Sequence, residues 1–241
     1  MHNSKKWNIV LVFFVVVLLV LLAFLPSILA VNKVSNNMLT VVVDAGHGGI
    51  DGGVTGSTTF AKESELNLAI SKKVAKELTL CNFNALLTRK TEEGLYEGNG
   101  KNLKQKDMQN RRKIILNSGA DFVLSIHQNK YKDSSRRGVQ VFYSDNGNKN
   151  TINFAHFMQN YLNKMINIPT QNRGYTAQNG DFYIVKCSTI PTIIIECGFL
   201  SNVEDEKMLV TEEYQTKLAK IIADGVSEFV SSKNMEKLES V

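Results

Sequence analysis

Three stretches of this chain, VVVD at 41–44, FVLSI at 122–126 and TIIIE at 192–196, are apolar along nearly their whole length rather than at alternate positions. A strand of that kind has no face to offer water, so helices must cover it on both sides. Strand-length and helix-length patterns alternate from Leu39 onward: a strand at Leu39 to Asp44, a helix near Glu63 to Leu80, a strand at Phe83 to Thr88, a helix near Lys104 to Ser118, and a strand at Asp121 to His127. Leu66, Ile70, Val74 and Leu78 give the first helix a core-facing stripe, and Gly119 is placed to end the second. A strand at Gly138 to Tyr143, a helix near Lys149 to Ile166, strands at Phe182 to Val185 and Thr192 to Ile195, and a helix near Glu212 to Val230 follow, with Thr211 as N-cap of the last. The fold class is α/β: one three-layer domain with a mainly parallel central sheet flanked by helices.

Ahead of the domain, Ile9 to Val31 contains no charged residue. At about 1.5 Å per residue a helix of that length covers the roughly 30 Å hydrocarbon core. Lys5 and Lys6 precede it, which by the positive-inside rule holds the amino terminus in the cytoplasm and sends the domain outside. A cleaved signal peptide, with Ile28-Leu29-Ala30 at the cleavage site, is the competing reading. The organisation is therefore a membrane anchor or signal segment at 1–31, a polar tether at 32–38, the folded α/β domain at 39–231 and a polar tail at 232–241.

Cys81, Cys187 and Cys197 are scattered and read as free thiols, without a disulfide framework. The formal charge of +5 favours anionic surfaces such as phospholipid, wall polymer or nucleic acid, but it is spread along the chain without a strong basic cluster and by itself selects no partner; no nucleic-acid partner is expected.

In open α/β sheets, ligands bind beyond the carboxyl ends of the strands. Those ends are polar here: the first run leads into Asp44-Ala45-Gly46-His47-Gly48-Gly49, the third into His127-Gln128-Asn129, and the TIII run into Glu196. Glu63 opens the helix that follows the His47 loop and can reach the same edge. A catalytic zinc site takes about three nitrogen or oxygen ligands and leaves a position open for water. His47, Glu63 and His127 supply such a set, which leaves Glu196 to take a proton from water as it attacks a carbonyl. The bland alternatives are a hydrogen-bonded structural histidine, a first-turn acid stabilised by the helix dipole for Glu63, and a buried paired acid for Glu196. His2 and His156, the latter inside a helical pattern, are poor ligand candidates.

Other chemistries lack their motifs. A dinucleotide fingerprint starting at Gly46 would need glycine where Asp51 stands, and GxxxxGK[ST], HExxH and GxSxG are all absent.

Taken together, VVVDAGHGGIDGG, Lys62-Glu63 followed by LNLAI, SIHQN and PTIIIECGFLSN resemble the zinc-dependent N-acetylmuramoyl-L-alanine amidases, the amidase 3 family. Leu87-Thr88-Arg89 and the Arg111-Arg112 helix are similar to the family's intervening segments, so the resemblance covers Leu39 to Val230. It implies that His47, Glu63 and His127 bind zinc, that Glu196 is the catalytic glutamate, and that the substrate is peptidoglycan, cut between N-acetylmuramic acid and L-alanine outside the cytoplasm. Ser64, where many members have lysine, departs from the pattern outside the ligand set. The stretch between Tyr143 and Arg173 has no room for the long inhibitory insert of some members. Layout points to the germination-specific type, which acts on spore cortex, and leaves an activating partner open. Rival functions are another zinc peptidase of the wall and a non-catalytic wall-binding module.

Overall fold

A computed structural model of the chain describes residues 38–145 and 148–239 and, ahead of them, Phe13, Val15, Val16 and Val20. Apart from those four positions, the expected apolar helix at Ile9 to Val31 lies outside the described residues. Among the described residues no helix is long and apolar enough to cross a membrane.

Strands β1 (Thr40–Ala45), β2 (Asn84–Leu87), β3 (Phe122–Asn129), β4 (Gln140–Tyr143), β5 (Gln178–Asn179) and β6 (Thr192–Phe199) form one sheet in the order β2-β1-β3-β6-β4-β5. The four strands β2, β1, β3 and β6 are parallel, as the doubly apolar runs require, but β4 runs antiparallel to β6 and makes the sheet mixed. The helices are α1 (Glu63–Leu80), α2 (Leu103–Asn117), α3 (Lys149–Leu162), α4 (Ile168–Gln171), α5 (Tyr183–Lys186), α6 (Val203–Leu209) and α7 (Glu212–Glu239), with a π-helical turn, Asn163–Asn167, between α3 and α4.

Strand alternation sorts the apolar runs into two layers. Val41, Val43, Leu124, Ile126, Ile193 and Ile195 pack against Ile70 and Val74 of α1, Phe154 and Met158 of α3, and Leu218, Ile222 and Phe229 of α7. Val42, Val123 and Ile194 point the other way, onto Ile115 of α2 and Ile184 and Val185 of α5. Each fully buried side chain of this size stabilises the fold by roughly 1.5–3 kcal/mol relative to exposure. The second layer is thinner, and beyond its apolar part the same face carries Asp44, Ser125, His127 and Glu196 at the strand ends. Gly119 closes α2 with φ 65°, and Thr211 Oγ1 accepts from Tyr214 N at 3.3 Å to cap α7.

Three expectations change. Phe182 to Val185, read as a strand, is the entry to α5, and the short strand lies earlier at Gln178–Asn179. Four consecutive apolar residues carry no period that separates a strand from one buried helical turn. The stretch expected as a polar tail continues α7 as far as Glu239, and α6 forms where no helix was expected. All three cysteines are free, Cys187 and Cys197 buried and Cys81 half-buried.

Candidate active site

His47 stands two residues beyond β1, in a left-handed backbone conformation with φ 59°. A non-glycine residue holds that conformation only when its surroundings fix it. Two arginines do so by gripping the carbonyls of the turn. Arg111 of α2 donates to the Ala45 carbonyl at 2.6 Å and the His47 carbonyl at 2.5 Å, while Arg89, just past β2, donates to the Ala45 carbonyl at 2.9 Å and the Gly46 carbonyl at 3.0 Å. Arg111 is 1 % exposed, and its charge is met by Asp44 Oδ1 at 2.6 Å and Asp107 Oδ2 at 2.5 Å. Burial works against ionisation of Asp44, but Arg111 and the hydroxyls of Ser125 and Thr88 hold its carboxyl below the usual carboxylate range.

The side chain of His47 is oriented from both ends. Its Nδ1 lies 2.9 Å from Asp51 Oδ2, which leaves Nε2 facing Glu63 Oε1 at 3.2 Å. Glu63 is the first residue of α1 and folds back across the loop, where its Oε2 accepts from Val54 N at 2.9 Å. Its Oε1 accepts from Gln128 N at 3.2 Å and lies 2.9 Å from His127 Nδ1. One donor atom each from His47, Glu63 and His127 therefore lies within 4.8 Å of the others. The imidazole rings stand nearly perpendicular, with centroids 5.0 Å apart at 76°.

Two glycines make this crowding feasible. A Cβ on Gly46 would sit 2.3 Å from the His127 ring, and one on Gly53, at φ 68°, would sit 2.5 Å from Glu63 Oε2.

Glu196 is level with His127 in the register of β3 and β6. Opposed residues of adjacent strands share a face, so the carboxylate stands beside the cluster. Its Oε2 is buried and has no hydrogen-bond partner among the described residues. Burial pushes its pKa up to about 7, with Glu63 adding to the rise and His127 and His47 opposing it. For His47, burial acts downward, yet hydrogen bonds and charge from Glu63 and Asp51 raise its pKa to about 9. Glu63 is held far below the ordinary carboxylate range by His127 and His47, against the effect of burial. The Glu63 carboxylate thus stands against the raised-pKa imidazole of His47, and a divalent cation held by the same donors can take the place of that proton.

A cavity of about 280 Å³ opens beside the cluster, between His47 and His127 on one side and Phe182, Tyr183 and Ile184 on the other. All four residues singled out from the sequence meet at one sheet edge, whereas His156 lies apart on α3, 3.5 Å from the Tyr143 hydroxyl. Asp51, Arg89 and Arg111 were not recognised in the sequence as parts of the site. The signal for Asp51 is its position four residues after His47. For Arg111 it is a cation at a core-facing helix position, which needs a buried anion.

A mixed α/β sheet with a His–Glu–His cluster of metal-holding geometry and a buried carboxylate beside it defines an enzyme domain equipped for hydrolysis. Residues 41–228 match the family model described as N-acetylmuramoyl-L-alanine amidase. The chain belongs to that family, and is by that membership an amidase of cell-wall peptidoglycan, a substrate outside the cytoplasm. Among relatives, the uncharacterized protein YqiI of Bacillus subtilis (strain 168) is 31% identical over 190 residues, 79% of this chain and 84% of that one. The germination-specific N-acetylmuramoyl-L-alanine amidase of the same organism is 30% identical over 196 residues, 80% of each chain. Among solved structures, the CwlD amidase from Clostridioides difficile in complex with the GerS lipoprotein is 33% identical with a TM-score of 0.73, over 80% of this chain and 99% of that one.

Proposed function

We propose that the chain is a zinc-dependent amidase that hydrolyses the amide between the lactyl group of N-acetylmuramic acid and the L-alanine of the stem peptide. The observation that carries this reading is the convergence of His47, Glu63 and His127 within 4.8 Å, with Glu196 level with His127 on the neighbouring strand. Two imidazole nitrogens and a carboxylate oxygen are a donor set used by catalytic zinc. When bound, zinc supplies Lewis acidity to the amide carbonyl and acidifies water at the open position.

The protein's own residues do the rest. Asp51 accepts from His47 Nδ1 and so keeps Nε2 directed at the site. Arg89 and Arg111 hold the loop carbonyls, which fixes where His47 stands. Glu196 takes the proton that water loses as its oxygen bonds to the carbonyl carbon. As the C–N bond breaks, the same carboxyl passes that proton to the departing nitrogen of L-alanine. One C–O bond forms and one C–N bond breaks, leaving a lactyl carboxylate and a peptide amine. A carboxyl with a pKa near the working pH suits a group that must both accept and return a proton.

The test is zinc content and stem-peptide release for two variants. Glu196→Gln is expected to keep zinc and lose turnover, and His47→Ala to lose both. Release of stem peptides by Glu196→Gln at the native rate removes the proton-transfer role.

The similarity to a germination-specific amidase and to CwlD supports a role in spore cortex. Cortex from a strain lacking the protein is then expected to lose muramic lactam, and unchanged lactam contradicts the assignment. The uncharged run at Ile9 to Val31 supports attachment of the domain to the outer face of the membrane.

A further inference from the structure

A second cavity, about 530 Å³, is lined by Arg136, Gln140, Asn163, Arg173, Tyr175 and Gln178, among others. Its position relative to the catalytic carboxylate follows from strand register. Gln140 is the partner of Glu196 in the antiparallel pairing of β4 with β6, just as His127 is its partner on β3. His127, Glu196 and Gln140 therefore form one row across three strands on the same face of the sheet.

The side chains of Gln140, Arg136 and Arg173 make no hydrogen bond or salt bridge with a described residue, whereas Asn163, Tyr175 and Gln178 are hydrogen-bonded within the wall. Gln140 is only 7 % exposed, yet its side-chain amide makes no hydrogen bond with any described residue. Arg136 lies over the Tyr131 ring at 4.1 Å and Arg173 over the Tyr175 ring at 5.7 Å, and neither guanidinium is in a salt bridge with a described residue. The adjacent Arg137, by contrast, is paired with Glu204 and Asp205. Asp133 accepts from Ser135 N at 2.9 Å and Ser135 Oγ at 2.7 Å, and these bonds, together with the charges of Arg136 and Arg173, lower its pKa, but it forms no salt bridge with either guanidinium. The wall is also fixed in place: Asn163 of the π-helical turn donates to the Tyr175 carbonyl at 2.7 Å and accepts from Tyr175 N at 3.0 Å.

We infer that this cavity is a subsite for a carboxylate of the stem peptide, with Arg136 and Arg173 binding the carboxylate and Gln140 contacting the peptide beside it. The inference rests on the proposed amidase reading. Neighbouring strands lie about 4.8 Å apart, so two strand spacings, about 10 Å, separate His127 from Gln140 at the cavity. An extended peptide advances about 3.3–3.6 Å per residue, which brings the residue after L-alanine, and its α-carboxylate, to the guanidiniums. The neutral muramic acid on the other side of the bond offers them no anion once its lactyl group is amide-linked. Bidentate guanidinium–carboxylate contacts are the pairing that such an arrangement favours.

The test compares N-acetylmuramoyl-L-alanyl-D-glutamate with the same compound carrying an α-carboxamide in place of the α-carboxylate. The native protein is expected to cleave the carboxylate form with a kcat/KM roughly tenfold or more above the amide form, mainly through KM, since hydrogen bonds to charged groups carry that range. In Arg136→Ala/Arg173→Ala the two substrates are expected to become equivalent, the preference for the carboxylate form being lost, with native thermal stability retained. Equal cleavage of both compounds by the native protein overturns the subsite and leaves the amidase reading standing, and needs no variant to fold. An equal loss on both substrates in the double variant overturns it as well. Cleavage of neither by the zinc-loaded native protein overturns the amidase reading and the subsite with it.

Discussion

Replacing Gly46 by alanine adds a single methyl group at a crowded point of the site, against the His127 ring. That carbon would sit 2.3 Å from Cε1 and Nε2 of His127 and 2.8 Å from Cδ2, against an ordinary contact limit near 3.4 Å, a shortfall of about 1.1 Å. The backbone cannot yield easily, because Arg89 and Asn67 both donate to the Gly46 carbonyl, at 3.0 and 3.1 Å, and Gly46 N donates to the Ile126 carbonyl at 3.1 Å. His127 must therefore move by about 1 Å, away from its place beside Glu63. Overpacking of this kind costs about 1–3 kcal/mol of stability. A displacement of about 1 Å in a reacting constellation costs about 100-fold in rate. The expected outcome is a folded protein with zinc affinity and kcat both reduced, kcat by about two orders of magnitude. Gly100→Ala serves as control, since its added carbon meets nothing nearer than Lys106 Nζ at 3.8 Å. Chelator competition measures zinc affinity, muropeptide cleavage measures kcat, and urea unfolding measures stability. Native zinc affinity and native kcat in Gly46→Ala would refute the argument that the loop is pinned against His127.

Other outcomes follow from the supporting contacts. Asp51→Asn weakens the acceptor that holds His47 Nδ1 and is expected to lower zinc affinity by about 10–100-fold in chelator competition, with less effect on kcat at saturating zinc. Arg111→Met leaves Asp44 and Asp107 buried without their cation and is expected to cost about 3–5 kcal/mol in urea unfolding. The same pair sets acid stability: the folded-state pKa of Asp44 lies below its ordinary value of 3.8, so its contribution is present above about pH 4 and is lost as pH falls through the folded value. Asp44→Asn should flatten that acid limb in unfolding curves taken from pH 5 to 2, and an unaltered limb would contradict the linkage. Glu206→Gln replaces a carboxylate that accepts from Ser57 N, Thr58 N, Thr59 N and Thr59 Oγ1, and is expected to raise hydrogen exchange across residues 57–59 and lower stability by about 1.5–3 kcal/mol.

Much of the sheet is legible because burial on both faces leaves an unmistakable trace in VVV, FVL and TIII. The direction of β4 is less so, because the Gly138 to Tyr143 run reads as a strand but carries no sign of the hairpin-free return that sets it antiparallel to β6. The entry to α5 at Phe182 to Val185 reads as a strand for a related reason: its four apolar residues carry no period, and Ile184 and Val185 are buried with Ile194 only in the folded layer. In the site, His47, Glu63, His127 and Glu196 are exposed to sequence reasoning by their positions just past strand ends or at a helix start. Asp51, Arg89 and Arg111 act through backbone carbonyls and a ring nitrogen whose orientation only the folded loop defines. The Arg136–Arg173 cavity is likewise assembled from segments far apart in sequence, and the polar loop at Thr170 to Asp181 hints at it only by its length and polarity.

The most direct test of the central claim is metal stoichiometry and amide cleavage measured on the same preparations of native, His47→Ala and Glu196→Gln protein. One zinc per chain in the native protein and in Glu196→Gln, none in His47→Ala, and release of L-alanine-terminated peptides by the native protein alone is the expected pattern. Peptide release by native protein stripped of metal, or undiminished release by Glu196→Gln, would contradict it.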